Sequence, residues 1–444
     1  MIVMKFGGSS VASDERIRRV AKIIQEASSE KPVVVLSAMG DTTDWLLEAG
    51  ENALHGSVDV SRIADLHRNT AAALEIESGA IQTLLDELTK LLVGISMIRE
   101  LTKRTRDYLV SFGERLSVRM MSLYLNKLNT SAQFFDAWDL GIQSDSNFTK
   151  AELLDSVWKT IPEKLHDYER GATKAIPIVT GFIAKDKNGD ITTLGRGGSD
   201  LTATIIGSSC HVKEVQTWKD VDGIMTSDPR ICKDARLVPE ATYEEAQELA
   251  LFGAQVLHPR SMIPCIETDT IVRVKNSYNT SSNGTVITKT HAGKTPEVCA
   301  ITSVKNITLI DIVSTRMLGA SGFLAHIFNQ FLKWNVSIDV IATSEVSVSL
   351  TVSASENVDG LVADLQTVAA VEVHKGKAIV SVICDASHSS SILEKAFASL
   401  SREKINVQMI SQGASKVNIS LLVNDDEADK VVRILHGAFF SSAK

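Results

Sequence analysis

The stretch Ile2-Val-Met-Lys-Phe-Gly-Gly-Ser-Ser10 joins a short β-rich run to a glycine turn, and a helical pattern over residues 14–28 follows it. An unbroken apolar run at residues 33–37 is typical of a strand that is buried on both faces of a parallel sheet. Runs of the same type recur at residues 176–180 and 214–218. This alternation over the first 300 residues predicts an α/β sandwich with a mostly parallel sheet.

Two segments of this first part have a different texture. Residues 60–130 are rich in Ala, Leu, Glu and Lys and contain no proline, which predicts a largely helical layer. Residues 284–296 are polar and without apolar periodicity, which predicts a linker. We therefore expect the first domain to span residues 1–295.

The chain after Lys305 contains a degenerate repeat. Its first copy predicts a strand at 307–313, a helix at 323–334, strands at 336–342 and 346–352, a helix at 358–368 and a further strand at 371–373. A similar series begins with a strand at 378–383, so the repeat length is about 70 residues, which suits two α+β domains of split-βαβ type. We assign them to residues 305–376 and 377–444, and the alternative is a nested arrangement in which the last strand of the second is shared with the first.

The composition is that of an ordinary globular protein, with 444 residues, 44% apolar residues, 23% charged residues and a formal net charge of −8. The acidic balance argues against a nucleic-acid partner, and no apolar run approaches the roughly 18 residues of a membrane span. The start lacks a secretory pattern, and the five scattered cysteines form no C-x-x-C pair. We expect a cytoplasmic enzyme with no nucleic-acid or membrane partner.

The first chemical motif is the glycine turn after the first strand. Gly7, Gly8 and Ser9 would let a phosphate approach the backbone, and Lys5 would add a full positive charge beside it. The alternative is a structural glycine turn with a surface lysine. The motif is not the G-x-x-x-x-G-K-[ST] loop, so a P-loop enzyme is disfavoured.

The second motif is Thr193-Leu-Gly-Arg-Gly-Gly-Ser-Asp200, at a strand–helix junction. Its glycines predict a second anion cradle, in which Arg196 can grip a carboxylate with two parallel hydrogen bonds. Ser199 or Asp200 could instead cap the helix, and both roles could hold together because they use the same helix end.

The third motif is the turn-rich segment Trp218–Arg230, at a strand end where ligands bind in α/β sheets. Taken alone it could be an acidic turn. Glu114 alone would be a solvated helix residue, and His258 is expected to be structural. No cluster of His, Cys and Asp has metal-ligand spacing.

Taken together, these segments resemble the aspartokinase family. The resemblance rests on Lys-Phe-Gly-Gly-Ser-Ser at 5–10, Ser-Phe-Gly-Glu at 111–114, the motif at 193–200, Asp-Val-Asp-Gly at 220–223, Thr-Ser-Asp-Pro-Arg at 226–230 and Phe-Gly-Ala-Gln-Val-Leu-His-Pro at 252–259. It implies an amino-acid-kinase fold, a carbamate-kinase-like three-layer sandwich, followed by two ferredoxin-like ACT domains. It places the chain in the monofunctional lysine-sensitive class, with no fused homoserine dehydrogenase expected.

The resemblance implies phosphorylation of the L-aspartate side-chain carboxylate by ATP, with Mg²⁺ carried by the nucleotide and no metal site formed by the protein alone. Lys5 and Asp200 would be catalytic, with Asp200 orienting Lys5. The amino-acid site would comprise Thr43, Glu114, Arg196 and Ser199. The nucleotide site would comprise Lys5, Gly7, Gly8, Ser9, Trp218, Lys219, Asp220, Gly223, Asp228, Arg230 and Gln255.

Two positions depart from the family pattern. Members often carry Thr where Lys219 stands and a phosphate-contacting lysine where Gln255 stands. We therefore hypothesise that Lys219 supplies the missing positive charge.

The resemblance also implies an effector site in the first ACT domain, with L-lysine as the inhibitor and a homodimer or dimer of dimers formed through these domains. Asp339 could pair with the ligand ammonium, and the backbone around Gly322–Leu324 could receive its carboxylate. A structural glycine turn is the alternative. The residues of this site would be Met317, Gly322, Phe323, Leu324, Asp339, Thr343 and Ser344.

Two other functions compete with this one. An enzyme of the same fold could act on glutamate, carbamate or a nucleotide, although the Glu114 motif and the two ACT-like repeats disfavour it. A catalytically inactive amino-acid sensor is the second, which the presence of Lys5, Glu114, Arg196 and Asp200 disfavours. Trapping the acyl phosphate with hydroxylamine separates the three.

Overall fold

The computed structural model describes residues 1–253, 257–293, 295–314, 322–413 and 417–441. The chain forms two compact units. The first comprises Met1–Ile224, Pro239–Tyr243 and Val256–Thr290, and the second comprises Met225–Val238, Glu244–Gln255 and His291–Lys444.

The first unit is built on a mostly parallel sheet, as predicted. Its strands are β1 (Ile2–Phe6), β2 (Pro32–Leu36), β3 (Ala132–Phe135), β4 (Ile176–Thr180), β5 (Ile183–Lys185), β6 (Ile191–Thr193), β7 (Val215–Lys219), β8 (Glu240–Thr242), β9 (Val272–Asn276) and β10 (Thr285–Thr288). Eight of them lie in the order β3-β4-β2-β1-β7-β9-β10-β8, while β5 and β6 pair separately. Every neighbouring pair in the large sheet is parallel except β9 with β10.

Helices cover the sheet, so β1, β2 and β4 are buried along their whole length. The helices of this unit are α1 (Asp14–Glu26), α2 (Thr42–Leu54), α3 (Ser61–Leu74), α4 (Gly79–Ile98), α5 (Lys103–Lys127), α6 (Val157–Glu169), α7 (Gly198–Ser209) and α9 (Pro259–Thr268). Helix α8 (Tyr243–Leu251) belongs to the second unit from Glu244 onward. The Oγ of Ser13 caps α1 by accepting a hydrogen bond from the Arg16 N–H at 3.3 Å. None of the described helices is long and apolar enough to cross a membrane.

The second unit contains one six-stranded antiparallel sheet in the order β12-β13-β11-β14-β16-β15. Its strands and helices are β11 (Val298–Val313), α10 (Phe323–Lys333), β12 (Ile341–Thr343), β13 (Ser347–Ser353), α11 (Asp359–Gln366), β14 (Ala370–Cys384), α12 (Ser389–Arg402), β15 (Met409–Gln412), β16 (Asn418–Asn424) and α13 (Ala428–Phe440). The α+β architecture expected for this part of the chain is therefore present.

Three elements differ from the sequence-based expectations. The strand expected at 336–342 begins only at Ile341, because Val336 and Ile338 pack on an apolar cluster without joining the sheet ladder. The segment expected to be a linker contains β10, which pairs with β8 and β9. The strands expected at 371–373 and 378–383 form one continuous strand, β14, which pairs along its length with the long strand β11.

The fold brings several loops to one edge of the large sheet. The glycine turn follows β1, Ser37 follows β2, and Gly181 follows β4. Because these three strands are parallel neighbours, their carboxyl ends meet at the same edge, where ligands bind in open α/β sheets.

Candidate functional site

A cavity of about 380 Å³ opens at this edge of the first unit. All six residues predicted for catalysis and for the amino-acid site line it, namely Lys5, Thr43, Glu114, Arg196, Ser199 and Asp200. The glycine-rich segment 195–198 forms a further part of its wall. The structure thus brings together residues that are as much as 195 positions apart in the chain (from 5 to 200).

A buried ion pair lies at the centre of the cavity wall. Lys5 is on β1 and Asp200 is in the first turn of α7, and the Lys5 Nζ lies 2.7 Å from the Asp200 Oδ1. Burial acts to raise the pKa of Asp200, but the positive charges of Lys5 and Lys219 outweigh it and hold that pKa below its usual value. Asp200 is therefore ionised at neutral pH and fixes the Lys5 ammonium at the cavity.

A second lysine lies close enough to act on the same carboxylate. Lys219 ends β7, the strand that pairs with β1, and among the described residues no carboxylate forms a direct ion pair with it. Burial lowers the pKa of Lys219, while the charge of Asp200 acts in the opposite direction. Lys5 and Lys219 thus both act on the buried carboxylate of Asp200, and the charge of Asp220 also acts on Lys219.

Two glycines allow the backbone to approach the cavity closely. Gly197 has φ +74°, and a Cβ at this position would lie 2.5 Å from the Cβ of His258. A Cβ at Gly8 would lie 2.7 Å from the carbonyl oxygen of Ala38. Because α7 begins at Gly198, its positive dipole end faces the cavity that these residues line.

Glu114 is the second acidic residue of the cavity wall, and it lies on α5. Its Oε1 accepts a hydrogen bond from the Ala38 N–H at 3.2 Å, whereas its Oε2 is buried and has no hydrogen-bond partner among the described residues. Burial raises the pKa of Glu114 to about 8. A buried carboxylate oxygen without a partner is suited to receive a ligand ammonium group.

The other predicted amino-acid contacts differ in how they are held. Arg196 is exposed and makes no hydrogen bond or ion pair with any described residue, so its guanidinium is free to meet a ligand. Thr43 is on α2, and Ser199 is buried in the first turn of α7. His258 caps α9, because its Nδ1 accepts a hydrogen bond from the Arg260 N–H at 3.2 Å.

Sequence reasoning missed Asp107, which holds two parts of the site together. Its Oδ2 accepts hydrogen bonds from the N–H groups of Thr149 at 2.8 Å and Thr193 at 2.9 Å, and its Oδ1 accepts one from the Thr193 hydroxyl. Asp107 and Glu114 are both on α5, while Thr193 precedes the loop of Arg196. The seven-residue spacing from Glu114, which puts both carboxylates on one helix face, was the available signal.

Among the described residues predicted for the nucleotide, Lys5 and Gly8 line this cavity and the others do not. Trp218 is buried, and its ring stacks on Phe6 with 5.7 Å between centroids. Asp228 and Arg230 belong to the second unit and pair with each other at 2.7 Å. Gly7, Ser9, Asp220 and Gly223 lie in the loops that follow β1 and β7, and Gln255 lies outside the described residues.

The predicted effector residues are placed in the second unit, and Met317 lies outside the described residues. Gly322, with φ +95°, precedes α10, and Leu324 is exposed on its first turn. Phe323 and Ile338 pack on the same apolar cluster, and Asp339 follows Ile338 in the chain. Thr343 is the last residue of β12, and Ser344 lies in the turn that follows it. The Ser344 Oγ is 2.7 Å from the Ser347 Oγ.

In the described part of the chain, no three or more His, Cys, Asp or Glu side chains are grouped to hold a metal ion. The carboxylates that line the cavity are Glu114 and Asp200, and Asp200 is already paired with Lys5.

Comparison with known proteins agrees with this geometry. A model of the amino acid kinase family matches residues 1–276, and an ACT domain model matches residues 381–439. Aspartokinase 1, chloroplastic, from Arabidopsis thaliana is 50% identical over 457 residues, which covers 99% of this chain and 80% of the relative.

Two solved structures of Escherichia coli aspartokinase III also match. The complex with aspartate and ADP (R-state) gives a TM-score of 0.81 at 32% identity, covering 99% of this chain and 100% of the other. The complex with lysine and aspartate (T-state) gives a TM-score of 0.81 at 31% identity, with the same coverage.

The raised pKa of Glu114 predicts a pH-dependent stability of the ligand-free protein. The pKa is about 8 in the folded protein against 4.5 for the free side chain, so between these values the folded state binds more protons than the unfolded state. Raising the pH through this window therefore lowers the melting temperature, and the stabilisation is complete only below pH 4.5. Glu114→Gln should flatten this decline, measured by thermal unfolding at pH 5, 6, 7 and 8 (about one-unit steps).

The matched control is Glu48→Gln, because Glu48 is an exposed acid on the neighbouring helix α2. Its profile should parallel that of the unsubstituted protein. Parallel profiles for Glu114→Gln and the unsubstituted protein would contradict the assignment of the titration to Glu114.

Proposed function

The chain belongs to the aspartokinases of the amino acid kinase family, and from this premise we propose how its residues carry out the reaction. The enzyme phosphorylates the side-chain carboxylate of L-aspartate with ATP to give 4-phospho-L-aspartate, the first step in the biosynthesis of lysine, threonine and methionine. The observation that supports the residue roles is the single cavity that unites Lys5, Glu114, Arg196 and Asp200.

Two side chains would recognise the amino-acid end of the substrate. Arg196 would clamp the α-carboxylate, since guanidinium presents two parallel N–H donors. Glu114 would receive the ammonium group on Oε2, the oxygen that has no partner among the described residues. The ammonium charge then favours the ionised form of Glu114, so aspartate binding releases a proton below about pH 8. Thr43 and Ser199 would complete the walls.

Phosphoryl transfer needs charge neutralisation rather than a general base. The side-chain carboxylate of aspartate, with an ordinary pKa near 3.9, is already ionised at neutral pH and can attack the γ-phosphorus directly. The new oxygen–phosphorus bond forms as the bond from the γ-phosphorus to the β-phosphate oxygen breaks, and ADP leaves. Lys5, held by Asp200, would bind the transferring phosphoryl group, and the amino terminus of α7 would add its dipole. Asp200 thereby acts as a positioning group for Lys5.

A divalent metal accompanies ATP in such a reaction, and we assign it as Mg²⁺. Since Asp200 is committed to Lys5 and Glu114 to the substrate ammonium, the oxygens that suit Mg²⁺ here are those of the nucleotide phosphates. Mg²⁺ would neutralise charge on the β- and γ-phosphate oxygens when bound.

The nucleotide would lie along the loops after β1 and β7. Gly7, Gly8 and Ser9 would contact the phosphates, and Lys219 would provide the second positive charge where family members have lysine at the position of Gln255. The loop that contains Asp220, Gly223, Asp228 and Arg230, together with Trp218, would hold the rest of the nucleotide.

We also propose the domain boundaries, the assembly and the cellular location of the enzyme. The catalytic domain would span residues 1–295, with ACT domains at 305–376 and 377–444, where the second boundary falls inside β14. We expect a homodimer or a dimer of dimers formed through the ACT domains. Five free buried cysteines suit a reducing compartment, and we assign the cytoplasm.

Regulation by L-lysine would act through the second unit. The backbone at Gly322–Leu324 would receive the lysine carboxylate, and Asp339 would pair with its ammonium. The backbone of Asp339 is anchored to β13, because its N–H donates to the Thr351 carbonyl at 2.9 Å. The Escherichia coli relative was solved with lysine and aspartate bound, which supports the same class of effector here.

A hydroxamate assay tests the reaction and the amino-acid site together. With ATP, Mg²⁺ and hydroxylamine, the enzyme should form hydroxamate from aspartate, and Arg196→Ala should raise the KM for aspartate by about 100-fold, because a charge-assisted bidentate contact is lost. Arg62→Ala, at an exposed arginine of α3, is the control and should leave KM unchanged. No hydroxamate from aspartate would overturn the proposed function, and an unchanged KM in Arg196→Ala would overturn the α-carboxylate assignment alone.

Lys219 is tested by removing its charge. Lys219→Met keeps an unbranched side chain, one atom shorter, without the charge, so the KM for ATP should rise about tenfold while the KM for aspartate changes little. Lys185→Met is the matched control and should leave both KM values unchanged, because Lys185 is also half-buried over a tryptophan ring, that of Trp138 at 4.3 Å, and is outside the cavity lining. If Lys219→Met left both kcat and the KM for ATP unchanged, the compensation hypothesis would fail.

Feedback inhibition by L-lysine is tested in the same assay. Millimolar L-lysine should inhibit hydroxamate formation, and Asp339→Asn should raise the half-inhibiting concentration at least about tenfold without altering either KM, because one ion pair to the effector is lost. Asp359→Asn, an exposed acid of α11, should retain normal inhibition. Neither inhibition nor binding at millimolar lysine would exclude this effector.

A further inference from the structure

One wall of the cavity is made by a strained turn. Immediately after β4, the Ile183 N–H donates to the Gly181 carbonyl at 2.8 Å, which closes a three-residue γ-turn centred on Phe182. Phe182 has φ +69°. Positive φ is unfavourable for a residue with a bulky side chain, and a γ-turn with positive φ is the rare and strained form. Such outliers cluster at functional sites, where the surrounding structure enforces them.

Helix α7 and the strand before it enforce this turn. The Phe182 N–H donates to the Thr202 hydroxyl at 3.1 Å, and the Phe182 carbonyl accepts from the Leu194 N–H at 2.9 Å. The ring lies against the first residue of α7, since a Cβ at Gly198 would be 2.8 Å from the Phe182 Cδ2. Phe182 is therefore fixed to the helix that carries Ser199 and Asp200.

Packing alone does not account for this placement. Phe6 and Phe112, which fill the core of the same unit, are fully buried, whereas Phe182 is only half-buried and is a residue of the cavity lining. Its ring packs on Gly198, and the other described residues of the lining are glycines, Ala38 or polar residues. A strained turn that places a half-buried aromatic residue at a polar cavity is unfavourable on both counts unless the residue meets a ligand.

We propose that Phe182 is a specificity-determining residue that limits the length of the substrate side chain and so selects aspartate over glutamate. This inference rests on the proposed function, in which Arg196 and Glu114 fix the α-carboxylate and the ammonium while Lys5 fixes the phosphoryl end. With both ends held, the extra methylene of glutamate has to bulge sideways, and the rigid ring occupies that space. One methylene in such a pocket changes kcat/KM by about 10- to 200-fold.

The experiment compares kcat/KM for aspartate and for glutamate in the hydroxamate assay for Phe182→Ala, Phe182→Gly and Phe182→Leu. The alanine and glycine variants open the wall, so the ratio of aspartate to glutamate should fall at least about tenfold, mainly through a gain with glutamate. Glycine adopts φ +69° without strain, so Phe182→Gly keeps the test valid if Phe182→Ala folds poorly. Phe182→Leu retains part of the bulk and should give an intermediate ratio.

The control is Phe134→Ala, which removes another partly exposed phenylalanine, on β3 and outside the cavity lining, and should leave the ratio unchanged. A ratio within about twofold of the unsubstituted enzyme in both Phe182→Ala and Phe182→Gly would overturn the inference. So would a loss of kcat/KM with aspartate that is matched by an equal loss with glutamate. Failure of the unsubstituted enzyme to phosphorylate aspartate would instead overturn the proposed function, so the two failures are distinguishable.

Discussion

The site depends on the buried ion pair between Lys5 and Asp200. Removing one member of such a pair leaves a buried charge uncompensated, at a cost of about 3–5 kcal/mol, so the two elements that carry them are constrained to each other. Lys5 is on the central strand β1, between β2 and β7, and Asp200 is in the first turn of α7. The pair therefore fixes the amino terminus of a helix over the carboxyl edge of the sheet, which is the arrangement that an anion-binding site requires.

The charge of the site is opposite in sign to that of the chain. The formal net charge is −8, yet Lys5 and Arg196 line the cavity and Lys219 lies on the strand beside that of Lys5. Salt screens exposed charges from one another beyond about 8–10 Å. Acidic residues elsewhere on the surface therefore act little on the cavity, whose charge is set by the residues that line it rather than by the net charge of the chain.

Much of the fold could be predicted because its signals are local. The apolar runs at 33–37 and 176–180 indicate buried parallel strands, and the motif at 193–200 indicates a strand–helix junction. The continuity of β11 and β14 could not be predicted in this way, because it depends on pairing between residues as far apart as Val298 and Cys384. Asp107 escaped for a related reason, since its role comes from three hydrogen bonds to distant backbone and hydroxyl groups rather than from a motif.

The features that sequence could not reveal share one physical character, because each is unfavourable in the protein alone. Glu114 has a buried oxygen without a partner among the described residues. Lys219 has a half-buried ammonium group whose pKa is lowered by burial, and Phe182 has a positive φ. Local consistency between sequence and structure is the basis of sequence-based prediction, and functional sites are where it is expected to fail. A substrate ammonium and a phosphate would relieve the first two of these costs, whereas the φ of Phe182 is enforced by its hydrogen bonds with Thr202 and Leu194. Binding energy is then directed to the groups that define aspartate and ATP, so recognition follows from the same features that make the free site unfavourable.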